Sequence, residues 1–202
     1  MTVFFKGLAF GFVLAATVGP MWVLCLRRTL AFGAVAGLAS GLGIAVADGI
    51  YGAVAAFGLT AVSGFLLGYS FWIGLVGAAF LIYLAFKALL AATPKIDTEE
   101  KPQNLAAAFF SCLGLTLSNP PTILAFAAIF AGLGLASNAD YTAASLITLG
   151  VFLGSLSWWL VLASAAGSLR SRMGPRLMRA INVISGITIL AFAAWQLAEL
   201  FL

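Results

Sequence analysis

The sequence predicts an all-α integral membrane protein, and three observations lead to that fold class. The 202 residues are 63% hydrophobic and only 8% charged, whereas soluble domains carry about 25% charged residues. Ten Lys and Arg with six Asp and Glu cannot solvate a globular surface, so a soluble enzyme is excluded, and the hydrophobicity excludes disorder. The apolar residues also gather in long runs, each near the roughly 20 residues that a membrane-spanning helix needs.

Six apolar runs are interpreted as six transmembrane helices. They cover about residues 3–26, 34–60, 65–92, 105–135, 142–167 and 180–202. The first run is too long for a signal peptide, so a retained helix is expected. The one extended polar stretch, TPKIDTEEKPQN, spans 93–104. It is predicted to be a cytoplasmic linker between two three-helix halves, 1–92 and 105–202, of a single membrane domain covering 1–202.

The distribution of basic residues predicts how the chain lies in the membrane. The links after the first, third and fifth helices hold nine Lys and Arg: Arg27, Arg28, Lys87, Lys95, Lys101, Arg170, Arg172, Arg176 and Arg179. The opposite side holds Lys6 alone. Basic links stay in the cytoplasm, so both termini are predicted to face the periplasm of a bacterial inner membrane. The sequence offers no soluble basic domain that would bind nucleic acid.

Two of the helices are predicted to be broken near mid-membrane. Residues 17–20 read Thr-Val-Gly-Pro in the first helix, and residues 118–121 read Ser-Asn-Pro-Pro in the fourth. Proline removes a backbone donor and clashes with the preceding turn. Each break opens a half of three helices, and because three is odd, the halves enter the membrane from opposite sides. Interrupted helices in corresponding positions of inverted repeats point to a transporter's central site; the alternative is two unrelated proline kinks.

Asp48 is the one charged residue near the centre of a predicted span. A central Asp costs about 2.5–3.5 kcal/mol on insertion scales, and acids in such positions are functional by default. Because desolvation disfavours a buried charge, Asp48 is a candidate proton carrier; the alternative is a structural cap for amides freed at the breaks. Residues 43–48 (GIAVAD) align with residues 150–155 (GVFLGS), which makes Ser155 the predicted counterpart of Asp48 in the second half.

Glycines recur four residues apart in three helices, a spacing that lets helix backbones approach closely. The sets are Gly7 and Gly11; Gly33, Gly37 and Gly41; and Gly150 and Gly154. They are predicted to pack helices inside the bundle, and the alternative is a homodimer interface.

Several motifs, in this order and spacing, resemble the LysE/RhtB family of bacterial amino-acid exporters. They are Gly-Pro at 19–20, Leu-Arg-Arg-Thr at 26–29, Gly33, Gly37, Gly43 and Asp48, GAAFLIYL at 77–84 and LSNPPTIL at 117–124. The resemblance covers nearly the whole chain. It implies export of a small amino acid or derivative, driven by the proton motive force. Val18, Met21 and Pro121 depart from the residues that are frequent in the family, and two of them adjoin the expected site.

The substrate is expected to bind between the two breaks. The predicted substrate-binding residues are Val18, Gly19, Pro20, Met21, Ser118, Asn119, Pro120 and Ser155, with Asp48 coupling to protons. Half-helix ends offer partners to both the carboxylate and the ammonium of an amino acid. Apolar Met21 and Trp22 favour a neutral substrate over lysine. No cofactor is expected, and no G-x-x-x-x-G-K-[ST] motif indicates ATP drive.

Three other functions compete with amino-acid export. Cys25 and Cys112 lie in corresponding helices, which suits a membrane thiol–disulfide electron carrier; against it, no basic residue flanks Cys112 to favour a thiolate, and buried thiols are usually inert core residues. A transition-metal exporter would want His, Cys or several carboxylates converging in the bundle, and one acid within the predicted spans and no His argue against it. A scaffold without transport would not need broken helices or a buried acid.

Overall fold

The computed structural model describes residues 2–57, 68–90, 104–119, 122, 126, 141–170 and 174–201. This part of the chain forms seven helices: α1 Thr2–Ala16, α2 Pro20–Phe32, α3 Ala34–Ala56, α4 Ser70–Leu89, α5 Leu105–Leu117, α6 Tyr141–Arg170 and α7 Pro175–Phe201. By length and composition, α3, α4, α6 and α7 can each cross a membrane, and α1 with α2, bent by 74° between them, form either a fifth, broken span or a re-entrant loop. The all-α membrane fold class is confirmed.

The predicted helices map onto the observed ones in order. The first corresponds to α1 and α2 together, and the second, third, fifth and sixth correspond to α3, α4, α6 and α7. The fourth predicted helix begins as α5, whose first residue is Leu105. Its continuation, Pro120 and Pro121 lie outside the described residues, as do linker residues 93–103. Asn104 caps α5 by accepting a hydrogen bond from the Ala107 amide at 3.1 Å.

Arg27 and Arg28 do not lie in an exposed link, contrary to the orientation count. They are inside α2, only 8% and 6% exposed, and α2 continues to Phe32 before a one-residue turn at Gly33 leads into α3. Gly33 has a φ of 94°, a conformation that glycine adopts without the steric penalty of a side chain. The helix extends past the two arginines because both guanidinium groups find hydrogen-bond acceptors on other helices.

The centre of the bundle is the pair α3 and α6. Helix α1 packs along α6, α5 packs along α3, and α4 packs against α7, while α2 contacts α3, α6 and α7. The α1–α6 contact is one of backbone against backbone. A Cβ added at any of four glycines would overlap a carbonyl oxygen of the facing helix: Gly7 with Ile147, Gly11 with Val151, Gly150 with Phe4, and Gly154 with Leu8. These glycines therefore pack helices inside the bundle, as predicted.

Candidate functional site

The first helix is interrupted between α1 and α2. Residues 17–19 are not helical, and both the amide and the hydroxyl of Thr17 donate to the Leu14 carbonyl near the end of α1. Gly19 is extended and is the N-cap of α2, with Pro20 at the start of the helix. Proline suits that position because its missing N–H would have no partner there. Since Gly19 has no side chain to cap the helix, the first amides of α2 remain open to a ligand.

The fourth predicted helix also stops where the sequence indicated. Helix α5 ends at Leu117, and the Asn119 side-chain amide donates to the Thr122 hydroxyl at 2.8 Å. The Tyr51 hydroxyl of α3 donates to the Leu117 carbonyl at 2.6 Å. Tyr51 therefore satisfies one of the carbonyls that the end of a helix leaves without an intrahelical partner. Sequence reasoning missed this residue, because an apolar helix gives no sign of which carbonyl its tyrosine will reach.

A cavity of about 240 Å³ lies between the two interruptions. Its described lining comes from α1, α2, α3, α5 and α6 and the residues that follow α1 and α5: Leu14, Ala15, Thr17, Val18, Gly19, Pro20, Met21, Trp22, Ile44, Asp48, Thr116, Asn119, Thr122 and Trp159. Six of the predicted site residues thus meet around one space: Val18, Gly19, Pro20, Met21, Asn119 and Asp48. Pro120, also predicted, lies outside the described residues.

Two of the predicted substrate-binding residues do not line this cavity. The Ser118 hydroxyl donates to the Gly114 carbonyl of its own helix at 2.7 Å, a local bond that serine commonly makes in helices. Ser155 is fully buried and donates to the Asp48 carboxylate at 2.7 Å. It lies in contact with the acid and off the described cavity lining, so the geometry makes it a positioning residue for Asp48.

Asp48 is held by a chain of hydrogen bonds from α6. The carboxyl group is 3% exposed and accepts from Ser155, which in turn accepts from the Trp159 indole nitrogen at 3.2 Å. A hydrogen bond to a charged group offsets part of its desolvation cost. The described lining contains no Lys or Arg, so a cationic ligand group that enters the cavity would meet an acid without a basic partner on that lining.

A second polar cluster, around Arg28, was not predicted. Its guanidinium donates to the Ala108 carbonyl at 3.0 Å, the Ser40 hydroxyl at 3.2 Å, the Cys112 sulfur at 3.3 Å and the Ser111 hydroxyl at 2.8 Å. All four acceptors are uncharged groups on α3 or α5. The expectation that no basic group adjoins Cys112 is wrong, because the cation comes from a helix 84 residues away in sequence.

The described residues contain no group of three His, Cys, Asp or Glu placed to hold a metal ion. Both cysteines are free and fully buried. Cys25 donates weakly to the Gly37 carbonyl at 3.4 Å.

Comparison with known proteins places the chain among membrane translocators. A family model described as LysE type translocator matches residues 12–199. The chain is 30% identical over 180 residues to the uncharacterized membrane protein YahN of Escherichia coli (strain K12), covering 87% of this chain and 80% of that protein. It is 28% identical over 200 residues to a Bacillus subtilis (strain 168) protein named "Putative amino acid efflux protein YcgF", covering 95% and 93%. No solved structure gives a significant match.

Proposed function

Because the chain belongs to the LysE type translocator family, we propose that it exports a small amino acid or a close derivative from the bacterial cytoplasm in exchange for protons. Family membership confirms the predicted resemblance and supports a multi-pass membrane transporter. The observation that carries the proposal is the cavity itself, which joins both helix interruptions and a buried acid in one space. A relative whose name describes amino acid efflux supports the choice of substrate class.

Reciprocal packing supports an inverted-repeat architecture for this transporter. A Cβ at Gly43 of α3 would overlap the Phe109 carbonyl of α5, and a Cβ at Gly150 of α6 would overlap the Phe4 carbonyl of α1. If the first and second halves of the chain are interchanged, the α3–α5 contact therefore becomes the α6–α1 contact, and the reverse. Gly43 and Gly150 are 107 residues apart, and the same separation relates Asp48 to the Ser155 that donates to it, while Phe4 and Phe109 are 105 apart. We infer that the Asp48–Ser155 pair lies at the axis between the two halves.

The lining chemistry favours a zwitterion with an uncharged side chain. Asp48 is the acid available to the substrate ammonium, and the open amides at the start of α2 suit a carboxylate. A lysine side chain would need a second anion, which the described lining lacks. Leu14, Ile44 and Trp159 offer apolar contact to an aliphatic side chain. A volume of about 240 Å³ suits a small amino acid.

Asp48 is the proposed proton carrier. A protonated Asp48 has no charge to hold the substrate ammonium, whereas a deprotonated Asp48 does. Proton entry from the periplasm would then release the substrate outward, and proton loss to the cytoplasm would restore the binding form. The basic residues near helix ends, such as Lys87, Arg176 and Arg179, favour the orientation with both termini in the periplasm.

Everted membrane vesicles test this function. We expect gradient-dependent uptake of one class within a panel of labelled leucine, valine, threonine and lysine. Asp48→Asn carries no charge to hold the substrate ammonium, so it should lose gradient-driven uptake and substrate counterflow together. Glu199 is an exposed acid near the end of α7, and the control variant Glu199→Gln should leave both activities intact. Normal gradient-driven uptake in Asp48→Asn would reject the proton role, and no uptake of any amino acid by folded protein would reject the substrate class.

One observation keeps the thiol–disulfide carrier as a second candidate. The Arg28 guanidinium lies 3.3 Å from the Cys112 sulfur, so a basic residue does adjoin one of the two thiols. Double substitution of Cys25 and Cys112 by serine separates the two functions. An exporter is expected to keep its amino-acid uptake, whereas a thiol carrier would lose its electron transfer completely.

A further inference from the structure

The indole N–H of Trp22 is a buried donor without an acceptor. Trp22 lines the cavity, and its Nε1 atom is one of three buried side-chain polar atoms that lack a hydrogen-bond partner in the described chain. A buried donor left unpaired is unfavourable, and an unpaired group in a native site calls for an explanation. A ligand that supplies the missing acceptor is one such explanation.

Four other polar side chains of the lining already donate to protein. The Thr116 hydroxyl donates to the Cys112 carbonyl at 2.8 Å, and the Trp159 indole donates to Ser155. The Asn119 amide donates one hydrogen bond to Thr122, and the Thr17 hydroxyl donates to Leu14. Among these described side chains, the Trp22 indole is the buried donor left over.

The position of Trp22 suits a negatively charged ligand group. It belongs to the first turn of α2, where the amides of Met21 and Trp22 have no intrahelical acceptor and Gly19 supplies no cap. Because the described lining holds no Lys or Arg, an anionic group in this cavity has to be bound by uncharged donors. A carboxylate accepts several hydrogen bonds at once, so the indole and the open amides can share it.

We propose that Trp22 recognises the substrate carboxylate through its indole N–H. This inference rests on the proposed amino-acid export and deepens it, because it assigns the two charged ends of the substrate to opposite parts of the cavity. The carboxylate binds at Trp22 and the ammonium at Asp48. The transporter therefore selects α-amino acids over the corresponding amines, whose ammonium would find Asp48 but which lack the group that Trp22 binds.

Trp22→Phe tests the role because it keeps an aromatic ring and removes the donor. Trp158→Phe is a matched control. Trp158 also has a buried indole nitrogen without a partner, but it packs edge-to-face on Phe12 at 5.3 Å and does not line the cavity. Uptake of labelled L-leucine and L-valine is measured in everted vesicles for both variants. We expect Trp22→Phe to raise the half-saturation concentration about tenfold or more, as loss of a hydrogen bond to a charged group predicts, and Trp158→Phe to leave it within about twofold.

A spectroscopic measurement gives a readout that a purely structural role would not move. Protein labelled with ¹⁵N at its five tryptophans is placed in lipid nanodiscs, and the indole signal of Trp22 is assigned by its loss in Trp22→Phe. L-leucine and L-valine should shift that signal at concentrations where isoamylamine and isobutylamine, which lack the carboxylate, leave it in place.

The outcomes separate this inference from the proposed function. If wild-type protein takes up an amino acid and Trp22→Phe behaves like Trp158→Phe, amino-acid export stands and the role of Trp22 is rejected. The same holds if amines shift the indole signal as strongly as amino acids do. If folded wild-type protein takes up no amino acid, the proposed function fails and takes this inference with it.

Discussion

Replacing Gly154 by alanine would force the central helix α6 away from α1. The added Cβ would overlap the carbonyl oxygen of Leu8, which is backbone and cannot rotate aside as a side chain can. The contact is also reciprocal, because Gly7 and Gly11 of α1 approach carbonyls of α6 in the same way. Relief at one glycine therefore requires the whole helix pair to separate, and Leu14 and Ala15 on α1 would move with it, away from the cavity that they line.

The size of the effect follows from two opposing contributions. Overpacking costs about 1–3 kcal/mol, and alanine regains up to about 1 kcal/mol over glycine inside a helix. At Gly114 of α5, an added Cβ meets nothing within 4 Å, so Gly114→Ala carries the gain without the cost. The two variants are expected to differ by about 2 kcal/mol in the free energy of unfolding. For a chain of this length, that is about 4–8 °C in Tm.

The two cysteines provide the assay. Both thiols are fully buried, so a thiol-reactive dye labels the protein only as it unfolds, and the labelling curve gives Tm in detergent. We expect Gly154→Ala to melt below the wild type, Gly114→Ala to melt at or above it, and transport to fall only in the former. Equal melting temperatures for the two variants would refute the backbone contact between α1 and α6.

Three further substitutions probe the hydrogen bonds around the cavity. Tyr51→Phe leaves the last carbonyl of α5 without its donor and should lower Tm by about 2–4 °C, as about 1 kcal/mol predicts; an unchanged melt by circular dichroism would contradict that cap. Arg28→Lys keeps the charge but loses the planar fork that reaches four acceptors, so we expect about 1–3 kcal/mol of destabilisation in the same measurement, and wild-type stability would show that the fork is dispensable. Ser155→Ala removes the donor to Asp48 and should reduce gradient-driven uptake more than counterflow. The control is Ser157→Ala, which should alter neither activity because the Ser157 hydroxyl donates to a carbonyl of its own helix. Matching transport in the two serine variants would rule out the positioning role.

The sequence predicted the parts of the site that depend on local chemistry. Pro20 interrupts its helix whatever surrounds it, and Asp48 is conspicuous in an apolar run, so both were identified together with the cavity region. The contacts of Tyr51 and Arg28 and the unpaired indole nitrogen of Trp22 carry no such local sign. Their importance lies in which helix faces them, and that is decided by packing between segments far apart in sequence. Arg28 was assigned to a loop because charge usually ends a span, whereas acceptors on α3 and α5 let the helix continue through it.

The first predicted span is one apolar run in the sequence, but it forms two helices that are connected differently to the rest of the bundle. Its first helix, α1, packs backbone against backbone on α6 through paired glycines, so α1 and α6 are expected to move together. Its second helix, α2, is joined to α3 by the single residue Gly33, so the end of α2 is expected to follow the start of α3. The two helices meet between Ala16 and Pro20, where the axis turns by 74° and a Cβ added at Gly19 would meet nothing within 4 Å. The residues that connect α1 to α2 are therefore also residues that line the cavity.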